Sequence, residues 1–135
     1  MNNPTHFLGT WHLIPEKSDY AHGTPPVAAT YQFQSGEKGS LAVSIQWTDA
    51  EGQSLGVDYT IIPDGKKRAY ENPAVADEVM SEFESDRVLN SMTYRSGAVI
   101  AFATRIIDET GMMKVLQRFY TPDGNHFDNL QYYKQ

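Results

Sequence analysis

From Val27 to Gln34 apolar and polar side chains take turns. Val27, Ala29, Tyr31 and Phe33 fall on one side, and Ala28, Thr30, Gln32 and Gln34 on the other. A two-residue period is that of a half-buried strand. The same period runs through Leu41, Val43, Ile45 and Trp47, and again through Leu55, Val57, Tyr59 and Ile61. The segments between them, 35–39, 49–52 and 63–66, are rich in Gly, Asp and Ser and predict turns. Asp64-Gly65 between alternating runs is a strong hairpin signal. Beyond Lys66 the pattern weakens. Residues 67–70 predict a short edge strand, and 72–78 a loop or one helical turn. Further strands are expected over 79–85, 87–95, 98–108, 112–121 and 126–134, with tight turns at Ser96-Gly97, 108–111 and 122–125. Ahead of all these, Phe7 to Ile14 predicts a first strand with apolar residues on both faces, ended by Pro15. Residues 16–26 have no helical period and predict a long loop over one barrel mouth.

About ten strands joined mostly by tight turns give an antiparallel, up-and-down order. No amphipathic helix is present to cover an open sheet, so the sheet protects its edges best by closing on itself. The expected architecture is all-β: a single antiparallel up-and-down β-barrel of about 8–10 strands with little or no helix, formed by one domain spanning 1–135. A two-sheet sandwich is the alternative, but it needs longer crossings. In the barrel, Phe7–Ile14 is the strand that closes the ring.

Composition narrows the function. The 135 residues carry a net charge of −6, and Lys and Arg are scattered, so the basic stripe of a nucleic-acid binder is missing. The acidic balance disfavours anionic membrane surfaces. There is no cysteine, which removes disulfides, thiolate nucleophiles and Cys-ligated metals. No basic-then-apolar leader opens the chain, and no apolar run approaches the roughly 20 residues of a membrane helix. A soluble, cytoplasmic protein is expected.

Phe7-x-Gly9-x-Trp11-x-Leu13 in the first strand, with a meander running to Tyr133-Lys134, resembles the calycin superfamily of lipocalins and fatty-acid-binding proteins. In that family the Trp packs across one barrel end under a basic residue from a late strand. Gly9 and Trp11 would then form a structural plug, covered by Arg118, Arg105 or Lys134. Two features depart from the family. Residues 16–26 cannot hold the helix pair of fatty-acid-binding proteins, and Gln131 and Tyr133 stand where their last strand has Arg-x-Tyr. Arg118-Phe119-Tyr120 spells Arg-x-Tyr one strand earlier. With no C-terminal helix, the chain resembles a minimal, lid-less bacterial lipocalin-like domain. Function is expected toward the mouth away from Trp11.

Arg118 and Tyr120 share one face of their strand. If it is inward they can bind a carboxylate; otherwise Arg118 stacks on Trp11 or lies outside, and Met113, Val115 and Phe119 face in. Arg105, a charge in an apolar strand, is expected at the rim or buried with a structural partner. Phe127, Asn129, Gln131 and Tyr133 share a face that, if inward, places polar groups among aromatics and suits an amphipathic small molecule. Tyr31, Phe33, Trp47 and Tyr59 add to that lining, unless these aromatics fill the barrel solidly.

The histidines, His6, His12, His22 and His126, match no metal spacing, so neither a metal nor a cofactor is expected. No nucleophile elbow, credible triad, phosphate loop or dinucleotide fingerprint occurs. The leading expectation is a lipocalin-like binding protein for a small apolar or amphipathic molecule. One alternative is a barrel enzyme of the cyclase or isomerase type, which needs Asp58, Glu82 or Glu84 pointing inward as a base. Another is a non-catalytic interaction domain with a solid core, dimerising through an outer patch of Leu8, Leu130 and Tyr132.

Overall fold

The computed structural model describes residues 4–20, 26–70 and 72–135. The strands are β1 (Gly9–Leu13), β2 (Asp19–Tyr20), β3 (Ala28–Ser35), β4 (Leu41–Thr48), β5 (Ser54–Ile61) and β6 (Arg68–Ala69). They continue as β7 (Glu78–Ser85), β8 (Val88–Arg95), β9 (Ala98–Ile107), β10 (Met113–Tyr120) and β11 (His126–Lys134). They form one antiparallel sheet of eleven strands in the order β5-β4-β3-β1-β11-β10-β9-β8-β7-β6, with β2 beside β11.

Two differences from the expected barrel stand out. The segment expected to be a plain loop makes a 3-10 turn at Pro15–Lys17 and then the two-residue strand β2, held to Leu130 and Asn129. The ring is also not closed by a continuous ladder. β1 joins β3 to β11, as a closing strand should, and the seam lies elsewhere, between β5 and β6. Across the seam the chain is stitched by an isolated bridge from Asp64 to Glu82 and by the Gly65 amide donating to the Ser81 carbonyl at 2.9 Å. Contacts between side chains of β3, β5, β8 and β9 show that the sheet curls round a common interior.

Turn chemistry sets the register. Ser96 and Gly97 both have positive φ (51° and 80°), the backbone of the two-residue hairpin that joins β8 to β9. The Asp77 carboxylate accepts the Ser96 amide at 2.6 Å and holds that turn. The Asp49 and Asp108 carboxylates accept backbone amides within their own turns, at 2.8–3.0 Å and 2.9–3.1 Å respectively. Gly9 has φ +116°, a backbone conformation that glycine adopts and other residues rarely do.

The core occupies one end. Phe7, Trp11, Phe33, Leu41, Leu89 and Met113 are essentially fully buried there. Phe7 packs edge-on against Phe33 at 5.7 Å and tilted against Phe83 at 5.9 Å, plugging the floor. The Trp11 indole N–H donates to the Phe7 carbonyl at 2.9 Å, which joins plug and strand. Each such side chain contributes about 1.5–3 kcal/mol through burial. Among the described residues no cation covers Trp11 as the resemblance implied. Arg105 lies over Tyr31, Arg118 is engaged elsewhere, and Lys134 is exposed.

Candidate functional site

Alternation along the late strands separates inside from outside. On β10, Met113 and Val115 are buried, and on β11, Asn129, Gln131 and Tyr133 are buried. Odd-numbered residues of both strands therefore face the interior. Arg118 and Tyr120 fall on the other face. Arg118 pairs in register with Asp128, and its guanidinium grips that carboxylate twice, at 2.9 and 3.0 Å. Tyr120 is 39% exposed, with its ring against His126. The Arg-x-Tyr spelling thus belongs to the outer surface.

The interior cation is Arg105. It is 5% exposed and sits two residues before the end of β9. Its Nε donates to the Tyr31 hydroxyl at 2.6 Å, Nη1 to the Ser91 hydroxyl at 3.2 Å and Nη2 to the Tyr59 hydroxyl at 3.4 Å. The Tyr31 and Tyr59 hydroxyls lie 3.0 Å apart, and those of Ser81 and Ser91 2.8 Å apart. Arg105 is therefore neither a rim residue nor half of a buried ion pair. All three partners are neutral hydroxyls, and among the described residues the ion pairs are Arg68–Asp64 and Arg118–Asp128. Burial works against the guanidinium charge, but the Tyr31 and Tyr59 oxygens more than offset it and hold its pKa above the usual arginine value. Burial pushes the Tyr31 phenol well up, against the pull of Arg105. A buried, permanently charged group with neutral partners leaves its charge available to an anion.

A second polar group faces this one. The Tyr133 hydroxyl donates to the Gln131 side-chain carbonyl at 3.0 Å, and the Gln131 amide donates to the Tyr20 hydroxyl. The Tyr133 ring meets Tyr31 edge-on at 5.6 Å, joining the two groups. Burial likewise raises the Tyr133 phenol above the usual tyrosine value.

Beyond Arg105 the interior opens. Inward residues of the floor are buried, whereas those on the mouth side, Ile45, Trp47, Ala101, Ala103, Gln117 and Phe119 among them, are only partly so. Nearest the seam, Leu55 and Val57 lie on the inward side of β5, in register with Trp47 and Ile45, yet are 44% and 45% exposed. The aromatic lining thus divides. Phe33 belongs to the floor, Tyr31, Tyr59 and Tyr133 to the polar middle, and Trp47 to the open half. The barrel is solid at the floor and accessible above it.

Asp58, Glu82 and Glu84 are all exposed, so the enzyme alternative has no inward base among them. His6, His12 and His126 are exposed, and His22 lies outside the described residues. Among the described residues no group of three His, Asp or Glu could hold a metal ion, and no helix is long and apolar enough to cross a membrane. Leu8, Leu130 and Tyr132 are half-buried instead of forming an exposed patch.

No protein-family model matches the chain, and no curated protein is similar to it in sequence. Solved structures are similar in shape. The wild-type fluorescent protein UnaG superposes with a TM-score of 0.66 at 14% identity, over 98% of this chain and 99% of its own. The protein As-p18, described as an extracellular fatty acid binding protein, gives a TM-score of 0.63 at 14% identity, over 100% and 99%. The fold is the one that UnaG and As-p18 share. The polar groups around Arg105 and Gln131 lie inside it. Two of their members escaped the sequence: Arg105, whose strand has apolar residues on both faces, and Tyr20, whose strand is too short to show a period. Asp128 was the available signal against Arg118. Counting outward from the 121–125 turn pairs the two in register on one face.

Proposed function

We propose that this protein binds a small amphipathic molecule with an anionic head group, a carboxylate above all, inside the open half of its barrel. The Arg105 guanidinium anchors the head group, and the Tyr31 and Tyr59 hydroxyls orient it. Ile45, Trp47 and Val57 receive the apolar body. The observation that carries this reading is a buried guanidinium hydrogen-bonded only to hydroxyls, beneath inward apolar side chains that are only partly buried. An entering carboxylate supplies the missing countercharge and makes charge-assisted hydrogen bonds in a low-dielectric site. The shared barrel shape of As-p18, an extracellular fatty acid binding protein, supports the same class of ligand.

Displacement of the fluorescent anion 1-anilinonaphthalene-8-sulfonate by dodecanoate tests the reading. Saturable displacement is expected from the wild-type protein. Arg105→Met should weaken it by about 100-fold, the scale of one charge-assisted pair. Arg105→Lys should fall between the two. Equal affinity in all three proteins overturns the anchor.

A further inference from the structure

Strand register places one inward residue from each of six neighbouring strands in a single row. Ser81 faces Ser91, Ser91 faces Ala103, Ala103 faces Gln117, Gln117 faces Asn129, and Asn129 faces Tyr20. Five of these six side chains carry hydrogen-bonding groups. Of the neighbouring rows on β9–β11, the mouthward one is apolar and the floorward one holds the anchor. Toward the mouth lie Ala101, Phe119 and Phe127, and toward the floor Arg105 is flanked by Val115 and then Gln131. The inward residues of β3–β5 are largely apolar, with Ala29, Trp47 and Leu55 in one row and Tyr31, Ile45 and Val57 in the next. The inner surface therefore has one hydrogen-bonding side and one largely apolar side.

The belt serves more than the fold. Asn129 is 5% exposed, an amide kept in the interior where a Leu or Val would pack at lower desolvation cost. Gln117 is half-buried, and among the described residues its amide has no hydrogen-bond partner. Gln117 stands two residues mouthward of Val115, the residue that faces Arg105, a step of about 6.6 Å along the strand. Resting on the reading of Arg105 as the anchor, we propose that this belt is a selectivity device. The cavity takes monocarboxylates bearing a second hydrogen-bonding group part-way along the body, such as a hydroxyl, keto or amide, in preference to saturated fatty acids. A carboxylate on Arg105 lays that group against Gln117 and Asn129, while the unsubstituted side of the ligand lies on Ile45, Trp47 and Val57. A saturated chain instead leaves the Gln117 amide facing hydrocarbon, and the loss of its hydrogen bonds to solvent opposes binding.

The test is calorimetric titration of the wild-type protein with dodecanoate and with dodecanoates hydroxylated at successive carbons. Tighter binding by about ten-fold is expected for one or two mid-chain positions, with no gain near the methyl end. Gln117→Leu, at a half-buried site that a fold tolerates, should erase that preference while keeping affinity for dodecanoate or improving it. Asn129→Leu should act in the same direction. If the wild-type protein binds all the acids equally, and Arg105→Met weakens all of them, the belt is overturned and the anchor stands. The proposal also falls if Gln117→Leu and Asn129→Leu, both folded by circular dichroism, keep the full preference. If no acid binds saturably to the wild-type protein, the anchor falls and the belt falls with it.

Discussion

The two ends of the barrel are made from the same strands and are filled in opposite ways. At the floor, the inward residues are large and apolar, and Phe7 enters from outside the sheet to close the remaining gap. Toward the mouth, the inward residues are mixed, from Trp47 and Phe119 to Gln117 and two alanines on β9, and most of them are only partly buried. Between them lies a polar layer with one buried guanidinium, two tyrosines and two serines hydrogen-bonded together. One end keeps the chain folded, and the other has space to hold something.

That division is most sharply broken by cutting each end in turn. Trp11→Ala should cost about 3–5 kcal/mol in urea unfolding, since it opens a cavity in a sealed floor. Trp47→Ala in the open half should cost clearly less, about 1–2 kcal/mol, because solvent already reaches its ring. Equal losses would mean that the whole interior is one core. The middle layer comes next. Arg105→Met should leave stability unchanged or raise it by about 1 kcal/mol, because the Tyr31–Tyr59 and Ser81–Ser91 hydroxyl pairs still satisfy one another. A loss of several kcal/mol would make Arg105 a structural residue.

Alkaline titration gives a smaller effect with a definite sign. Burial holds the Tyr31 and Tyr133 phenols above the ordinary tyrosine value of 10.0. Above that pH the unfolded chain releases protons that the folded chain retains, so stability is full below pH 10 and falls as pH rises past it. Phenolate absorbance should then appear together with unfolding. Tyr133→Phe should flatten the decline. Asp128→Asn should change least. Its hydrogen bonds to Arg118 hold the Asp128 carboxyl below its usual value, so the pair's contribution is present above the ordinary aspartate range and fades as pH falls through the lowered one. At neutral pH, the unfolding midpoint and the affinity for dodecanoate should both stay within experimental error, in contrast with Arg105→Met.

Much of the fold was legible because strands with one wet face advertise themselves. β3 and β4 alternate cleanly, and Ser96-Gly97 and the Asp-led turns mark where the chain reverses. The legible part stops where a strand is too short to have a period, as with β2, or is apolar on both faces, as with β9. There Phe102 and Ile106 on the outside are as greasy as Ala101 and Ile107 on the inside, so alternation could not say which way Arg105 points. The seam was also hidden, because nothing local to β5 and β6 tells whether their edges meet. The Arg-x-Tyr spelling at Arg118 misled for the opposite reason. A short motif carries no facing, and the register with Asp128 decides it.

The pairing of β1 with both β3 and β11 has a kinetic consequence. Gln135 donates to the Leu8 carbonyl across 127 residues of sequence. Every other neighbouring pair on the main path of the sheet is close in sequence, most of them joined by one tight turn. β1 waits for β11 before its second edge is satisfied, and until then the floor residues of both halves have no common plug. A meander of quick hairpins is thus locked by one slow, long-range closure. Trp11 fluorescence, distinguished from that of Trp47 by a Trp47→Phe background, should report that last step as the slow phase of folding.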